Sequence, residues 1–247
     1  MARNQDTSRQ EQAERKRRLA RELDIAEEGD IEGLLTEEEW FASHNARDMI
    51  RHLGGRLSDR KSRLLSCAIA RLVWDVLLDE RSRNAVEVAE RSADGNTSVY
   101  ELELAEKQAN EVATRDHERQ LPQHQHFRAI AAKMCAITKP NAAGVCHFVV
   151  GFSQGGENLL TRTANLVRDI AGNPFRPVIF SPAWRTSDAV ALARTMYEAR
   201  EFSAMPILAD ALQDAGCDSD DILNHCRDTA QVHVRGCWVI DLVLGKQ

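Results

Sequence analysis

Apolar positions recur along this chain at the three-to-four-residue spacing that gathers side chains on one face of a helix. Leu65, Ala68, Ile69, Leu72, Val73 and Val76 form such a stripe, with Ser58-Asp59 ahead of them as a cap. The same pattern predicts a helix over 81–93, with Val86, Ala89 and Ala93 in line and Asp94-Gly95 as its stop. A longer helix runs from Ser98 towards Gln120, with Leu102, Ala105, Ala109, Val112 and Ala113 inward, and Leu121-Pro122 breaks it. Residues 123–137 read as helix again. Upstream, Thr36 and Glu39 have the spacing of a capping box, and Trp40 and Phe41 supply the first core anchors.

Past Lys139-Pro140-Asn141 the pattern is ambiguous, and His147 to Val150 is a short β-like run. Glu157 to Ala171 is helical and ends at Gly172-Asn173-Pro174. The three prolines between Gly172 and Pro182 predict an extended crossover that separates two helical layers. Thr186-Ser187-Asp188 caps a helix carrying Ala189, Leu192, Ala193 and Met196 on one side. Pro206 sits in the first turn of the next, Gly216 closes it, and Ser219-Asp220-Asp221 caps a short third. Cys237 to Leu244 is apolar on every side, and a buried helix stopped by Gly245 is preferred to a strand. The expected architecture is all-α: a charged, partly disordered N-terminal extension (1–34), a helical region (35–171) and a C-terminal helical region (172–247) packed on it.

Composition supports this picture. The 247 residues are 43% hydrophobic, enough for a core, and only 5% aromatic, which with few β-branched clusters favours helix. Six cysteines stand singly with no secretory signal ahead of them, so reduced thiols and a cytoplasmic setting are expected. No apolar run approaches the roughly 18 residues of a membrane span. A net charge of −6 opposes nucleic acid. The one basic run, Arg15-Lys16-Arg17-Arg18, has Glu11, Glu14 and Glu22 at helical spacing and reads as a solvated face.

Two constellations carry chemistry. Gly151-Phe152-Ser153-Gln154-Gly155 matches the G-x-S-x-G elbow, in which glycines let a strand turn sharply into a helix and lift a nucleophilic serine beside oxyanion-binding N–H groups. Ser153 would then draw on Asp188 or Asp210 and on His225 or His233. An elbow requires a parallel sheet upstream, whereas 36–145 reads as successive helices, so a Gly-rich helix start is the preferred reading. The second constellation is Cys217, His225, Cys226, His233 and Cys237, of which four donors are enough for tetrahedral zinc. No C-x2-C pair is present, and His225 and Cys226, adjacent on one helix, diverge by about 100°. Cys217, His225, His233 and Cys237 are therefore the candidate set, against the alternative of buried thiols and a histidine bonded across helix packing. His124 and His126 diverge on their helix and read as surface residues, while Asp79-Glu80 and Asp218 with Asp220-Asp221 read as helix-cap charges.

Several tracts carry a resemblance: Leu35 to Trp40, Ser58 to Lys61 leading to Trp74, Asp79 to Arg91, Arg168 to Pro177, Pro182-Ala183-Trp184, Met205 to Leu212, and His233 to Trp238 through Lys246. With them the chain resembles a lineage-expanded family of uncharacterised planctomycete proteins over about two-thirds of its length. The resemblance implies helical architecture and a bacterial cytosolic context and brings no activity. Cys146 to Gly156 and residues 1–34 depart from the family pattern. The expectation is a non-catalytic helical module that binds an unknown protein partner, with a Ser153 hydrolase and a structural zinc domain as the alternatives.

Overall fold

The computed structural model describes residues 34–152 and 156–246, so residues 1–33 of the charged extension and Ser153 lie outside the described residues, while Leu34 is buried. The described residues form twelve α-helices and no strand: α1 Glu37–Ala42, α2 Ala46–Leu53, α3 Asp59–Arg71, α4 Glu80–Ala93, α5 Val99–Glu118, α6 Gln123–Ala136, α7 Ala142–Phe152, α8 Gly156–Ala171, α9 Ser187–Ala199, α10 Met205–Asp214, α11 Asp220–Arg227 and α12 Trp238–Leu244. The fold is all-α. No helix among the described residues is long and apolar enough to cross a membrane.

Several helix starts follow local side-chain chemistry, although Ser219, expected to cap α11, makes no side-chain cap bond. Thr36 and Glu39 make both halves of the capping box, Ser58 accepts from Lys61 N–H, Asp79 from Arg81 N–H and Ser98 from Glu101 N–H. Thr186 accepts from Ala189 N–H. Each satisfies one of the amides that a first turn leaves open. Several helix ends are closed from a distance by cations instead. Arg63, buried in α3, donates to the carbonyls of Cys135, Ile137 and Thr138 at the end of α6, each at 2.9 Å. Arg168 closes α1 through the carbonyls of Trp40, Phe41 and Ser43. Arg185 closes α12 through Leu242 and Val243, and Arg235 closes α9 through Tyr197 and Glu198. A positive charge there complements the exposed carbonyls and the helix dipole together.

α3 is the hub of the first layer: every residue from Arg63 to Ala70 is buried, and α4, α6, α7 and α8 pack around it. The expected stripe runs past its helix, however. α3 stops at Arg71, Leu72 tightens the last turn through the Ile69 and Ala70 carbonyls, and Trp74–Val76 is a 3-10 turn with Val76 exposed. Trp74 folds back so that the Arg71 guanidinium lies 4.3 Å above its ring. The β-like run His147–Val150 is also corrected. It lies inside α7, where Val145, Cys146, Val149 and Val150 are buried against α3 and α6, and packing on helices overrides the β preference of its valines. His124 and His126 are half-buried rather than on the surface, with His126 Nδ1 3.0 Å from the Ala113 carbonyl.

A second apolar cluster, centred on Leu208, Leu212, Ile222 and Ile240, is formed by α9 to α12. The Gly172–Ser181 crossover is not extended throughout as expected: it turns at Pro174-Phe175 and then, over 177–181, runs without helix or turn and brings Val178 and Phe180 against the cluster. The seam between the clusters is polar. Asp241 of α12 pairs with Arg60 at 2.7 Å and Lys61 at 2.6 Å. Tyr197 donates to Asp94 at 2.7 Å and accepts from Arg60 at 2.9 Å, and Lys246 reaches Asp94 at 2.9 Å.

Candidate metal centre

A second polar knot on this seam joins α8 to α11, α12 and the loop between them. Asp169 lies on the inward stripe of α8 beside Leu166, Val167 and Ile170, and its side chain has no exposed surface. His225 is in the last turn of α11. The 228–236 loop then returns His233 to Asp169, and Gly236, at φ 92°, turns the chain so that Cys237 starts α12 against the same point. A Cβ at Gly236 would stand 3.0 Å from Leu64 Cδ1, so the close approach itself depends on glycine.

The four donor atoms lie within 4.8 Å of one another. His233 Nδ1 is 2.8 Å and His225 Nε2 3.4 Å from Asp169 Oδ1. Cys237 Sγ is 3.2 Å from His225 Nε2 and 3.9 Å from His233 Nδ1. Ligands of a tetrahedral zinc, with bonds of roughly 2.0–2.3 Å, stand about 3.3–3.8 Å apart. The observed spacings straddle that range, so this buried Asp/His/His/Cys cluster can hold a metal ion with small side-chain shifts.

Its electrostatics point the same way. Burial works against ionised Asp169, but the hydrogen bonds from His225 and His233 outweigh it and hold the carboxyl below its usual range. Burial and the Asp169 charge push the Cys237 thiol well above its ordinary value. A divalent cation would invert this second shift: with Asp169 and Cys237 as anions and both histidines neutral, the buried charges would sum to zero. Trp238 Nε1 donates to His225 Nδ1 at 3.2 Å, which places the ring proton of neutral His225 on Nε2. An ion held by Nε2 would require the ring proton on Nδ1 and so would compete with the bond from the indole.

Three of the four expected ligands are thus brought together. Cys217 is not in the group: it is buried in the turn between α10 and α11, with its thiol raised by burial. Asp169 takes the fourth place. The signal that marks it in the sequence is an acid in line with Leu166 and Ile170 on an otherwise apolar stripe. Cys226, adjacent to His225, faces the second core, where burial pushes its thiol to about 12. The elbow reading loses its context, since Gly151 ends a helix rather than a strand. Asp188 and Asp210 are both exposed, and Asp210 pairs with Arg227.

Comparison with known proteins finds no match to a family model, a curated protein or a solved structure.

Proposed function

We propose that this is a non-catalytic helical protein in which Asp169, His225, His233 and Cys237 hold one zinc-class ion that fastens the C-terminal layer to α8. The convergence of four donors of zinc's preferred types, on side chains almost withdrawn from water, is the observation that carries this reading. Four protein ligands fill a tetrahedron, which is the arrangement of a structural site and leaves no position for a reacting water. Nor does the Cys237–His225 pair suit nucleophilic catalysis, because its sulfur is fully buried and its thiol is held protonated.

Elemental analysis of the purified protein tests this directly. One zinc per chain is expected, lost in Asp169→Asn, His225→Ala and Cys237→Ser and retained in Cys217→Ser. A metal-free chain that also fails to take up added zinc would overturn it.

A second reading, an interaction module, draws on Tyr100 and Leu104. They lie four apart on α5 and are 73% and 40% exposed, so together they present an apolar strip on an otherwise polar face. Sedimentation of the wild type and of Tyr100→Ser/Leu104→Asp examines it: self-association abolished by the double substitution supports it, and an unaltered monomer removes self-association from it.

A further inference from the structure

The seam beside the metal cluster opens into a cavity of about 740 Å³. That is within the size range of small-molecule sites, which favour clefts between packed units. Phe41, Leu57, Pro174 and Trp238 give it apolar walls. Five cations line it, and three are neutralised: Lys61 by Asp241, Arg176 by Glu37 and Lys246 by Asp94.

The other two are not. Arg168 is half-buried and donates only to neutral groups, the carbonyls of Trp40, Phe41 and Ser43 and Asn165 Oδ1. Burial lowers its pKa with no carboxylate opposing the shift. Arg56, at the rim, donates to the Leu53 and His52 carbonyls alone. A guanidinium has five N–H donors; Arg56 commits only its Nε and one Nη2 hydrogen, whereas Arg168 also donates Nε to Trp40 and keeps a single hydrogen, on Nη1. The acids across the cavity, Asp221 on α11 and Asp228 just after it, are exposed, and solvent screens them. Two arginines without counter-charge, in one apolar-walled cavity of a chain with net charge −6, form a local exception to the charge of the whole.

We infer that this cavity is a receptor for a small organic anion, a carboxylate on an apolar body, seated with its charge on Arg56 and Arg168 and its body against Phe41, Leu57 and Trp238. The free Nη1 and Nη2 hydrogens of Arg56 match a carboxylate in geometry, and the remaining Nη1 hydrogen and charge of Arg168 add to them, so pairing restores to Arg168 what burial removes. The ligand also bridges the layers, since Arg168 belongs to the first and Trp238 to the second. The inference does not rest on the metal.

Calorimetric titration of the full chain with octanoate, 4-phenylbutyrate and indole-3-acetate, each beside its neutral amide, tests it. At least one carboxylate is expected to bind saturably at one site and at least tenfold more tightly than its amide. Arg56→Gln, an exposed change, should weaken that binding about tenfold at unaltered melting temperature. Arg168→Lys should weaken it too, and if that variant misfolds, the amide comparison and Arg56→Gln carry the test alone. Binding should persist in Cys237→Ser, so that failure of the metal reading is separable. Absence of saturable binding, equal affinity for acid and amide, or indifference to Arg56→Gln would overturn the proposal. Inorganic phosphate binding as tightly as the best carboxylate would overturn the apolar half of it.

Discussion

A carboxylate with no exposed surface has to be compensated from within the protein, and Asp169 finds His225, His233 and the Val234 N–H at 2.9 Å. Its pKa is depressed on folding, so its contribution to stability is present above the ordinary aspartate value and is lost as pH falls through the lower native one. Asp169→Asn should therefore destabilise the protein at neutral pH, by about 1–3 kcal/mol for the hydrogen bonds to the charged acceptor that are lost. Urea titrations at pH 7 and at pH 3 should show that difference shrinking in acid. Metal uptake must strip the raised Cys237 thiol of its proton, so zinc affinity should fall as pH is lowered, with proton release detectable in weakly buffered solution. Because the indole of Trp238 competes for the tautomer that zinc requires, Trp238→Phe should bind zinc more tightly than wild type. Competition with a chromophoric chelator measures this, and weaker binding would mean that the indole supports the site. His52 gives a separate pH dependence. Burial, with Arg56 adding to it, takes its pKa to about 4, while Nδ1 accepts from Leu35 N–H. The unfolded chain binds this proton from pH 6.5 downward and the native chain only near 4, so stability should fall across that interval by about 3 kcal/mol. His52→Asn should flatten that slope in thermal melts.

At the scale of elements, the capped helix starts were legible because a cap is a local device: Thr36, Ser58, Asp79, Ser98 and Thr186 all act within three residues. Helix ends were less so. The arginines that close α1, α6, α9 and α12 come from elements distant in sequence, and no short-range pattern announces them. The valine-rich start of the Cys146–Gly156 stretch misled for a related reason, since a short apolar run takes its form from what buries it. Gly236 connects element to site. Its positive φ and its contact with Leu64 let the loop after α11 deliver His233 and Cys237 to one point. Gly236→Ala should cost about 2 kcal/mol from backbone strain, and more from the clash, with a parallel loss of zinc affinity. Gly172 places Trp238 similarly: a Cβ there would lie 3.1 Å from the indole Cγ.

For the whole molecule, two apolar cores meet across a seam held by ions and hydrogen bonds. Asp241 is central to it, 2% exposed and bonded to both Arg60 and Lys61. Asp241→Asn should destabilise more than any exposed pair such as Arg51 with Asp48, whose loss is expected to cost under about 1 kcal/mol. A zinc ion at Asp169 would be the other fastening, and chelation should lower the melting temperature of the wild type but not of Cys237→Ser. Separation of one calorimetric transition into two on chelation would mark the C-terminal layer as the part released.

The sequence by itself determined the all-α class and the starts of the capped helices, and it put His225, His233 and Cys237 in one candidate set with Cys217, because periodicity, caps and short spacing are properties of neighbouring residues; the helices Ala46–Leu53 and Ala142–Phe152 were not legible in it. Only the tertiary structure decided that Asp169 and not Cys217 completes the cluster. Donor convergence depends on how α8 and the last helices cross, and that crossing is set by packing between residues far apart in the chain.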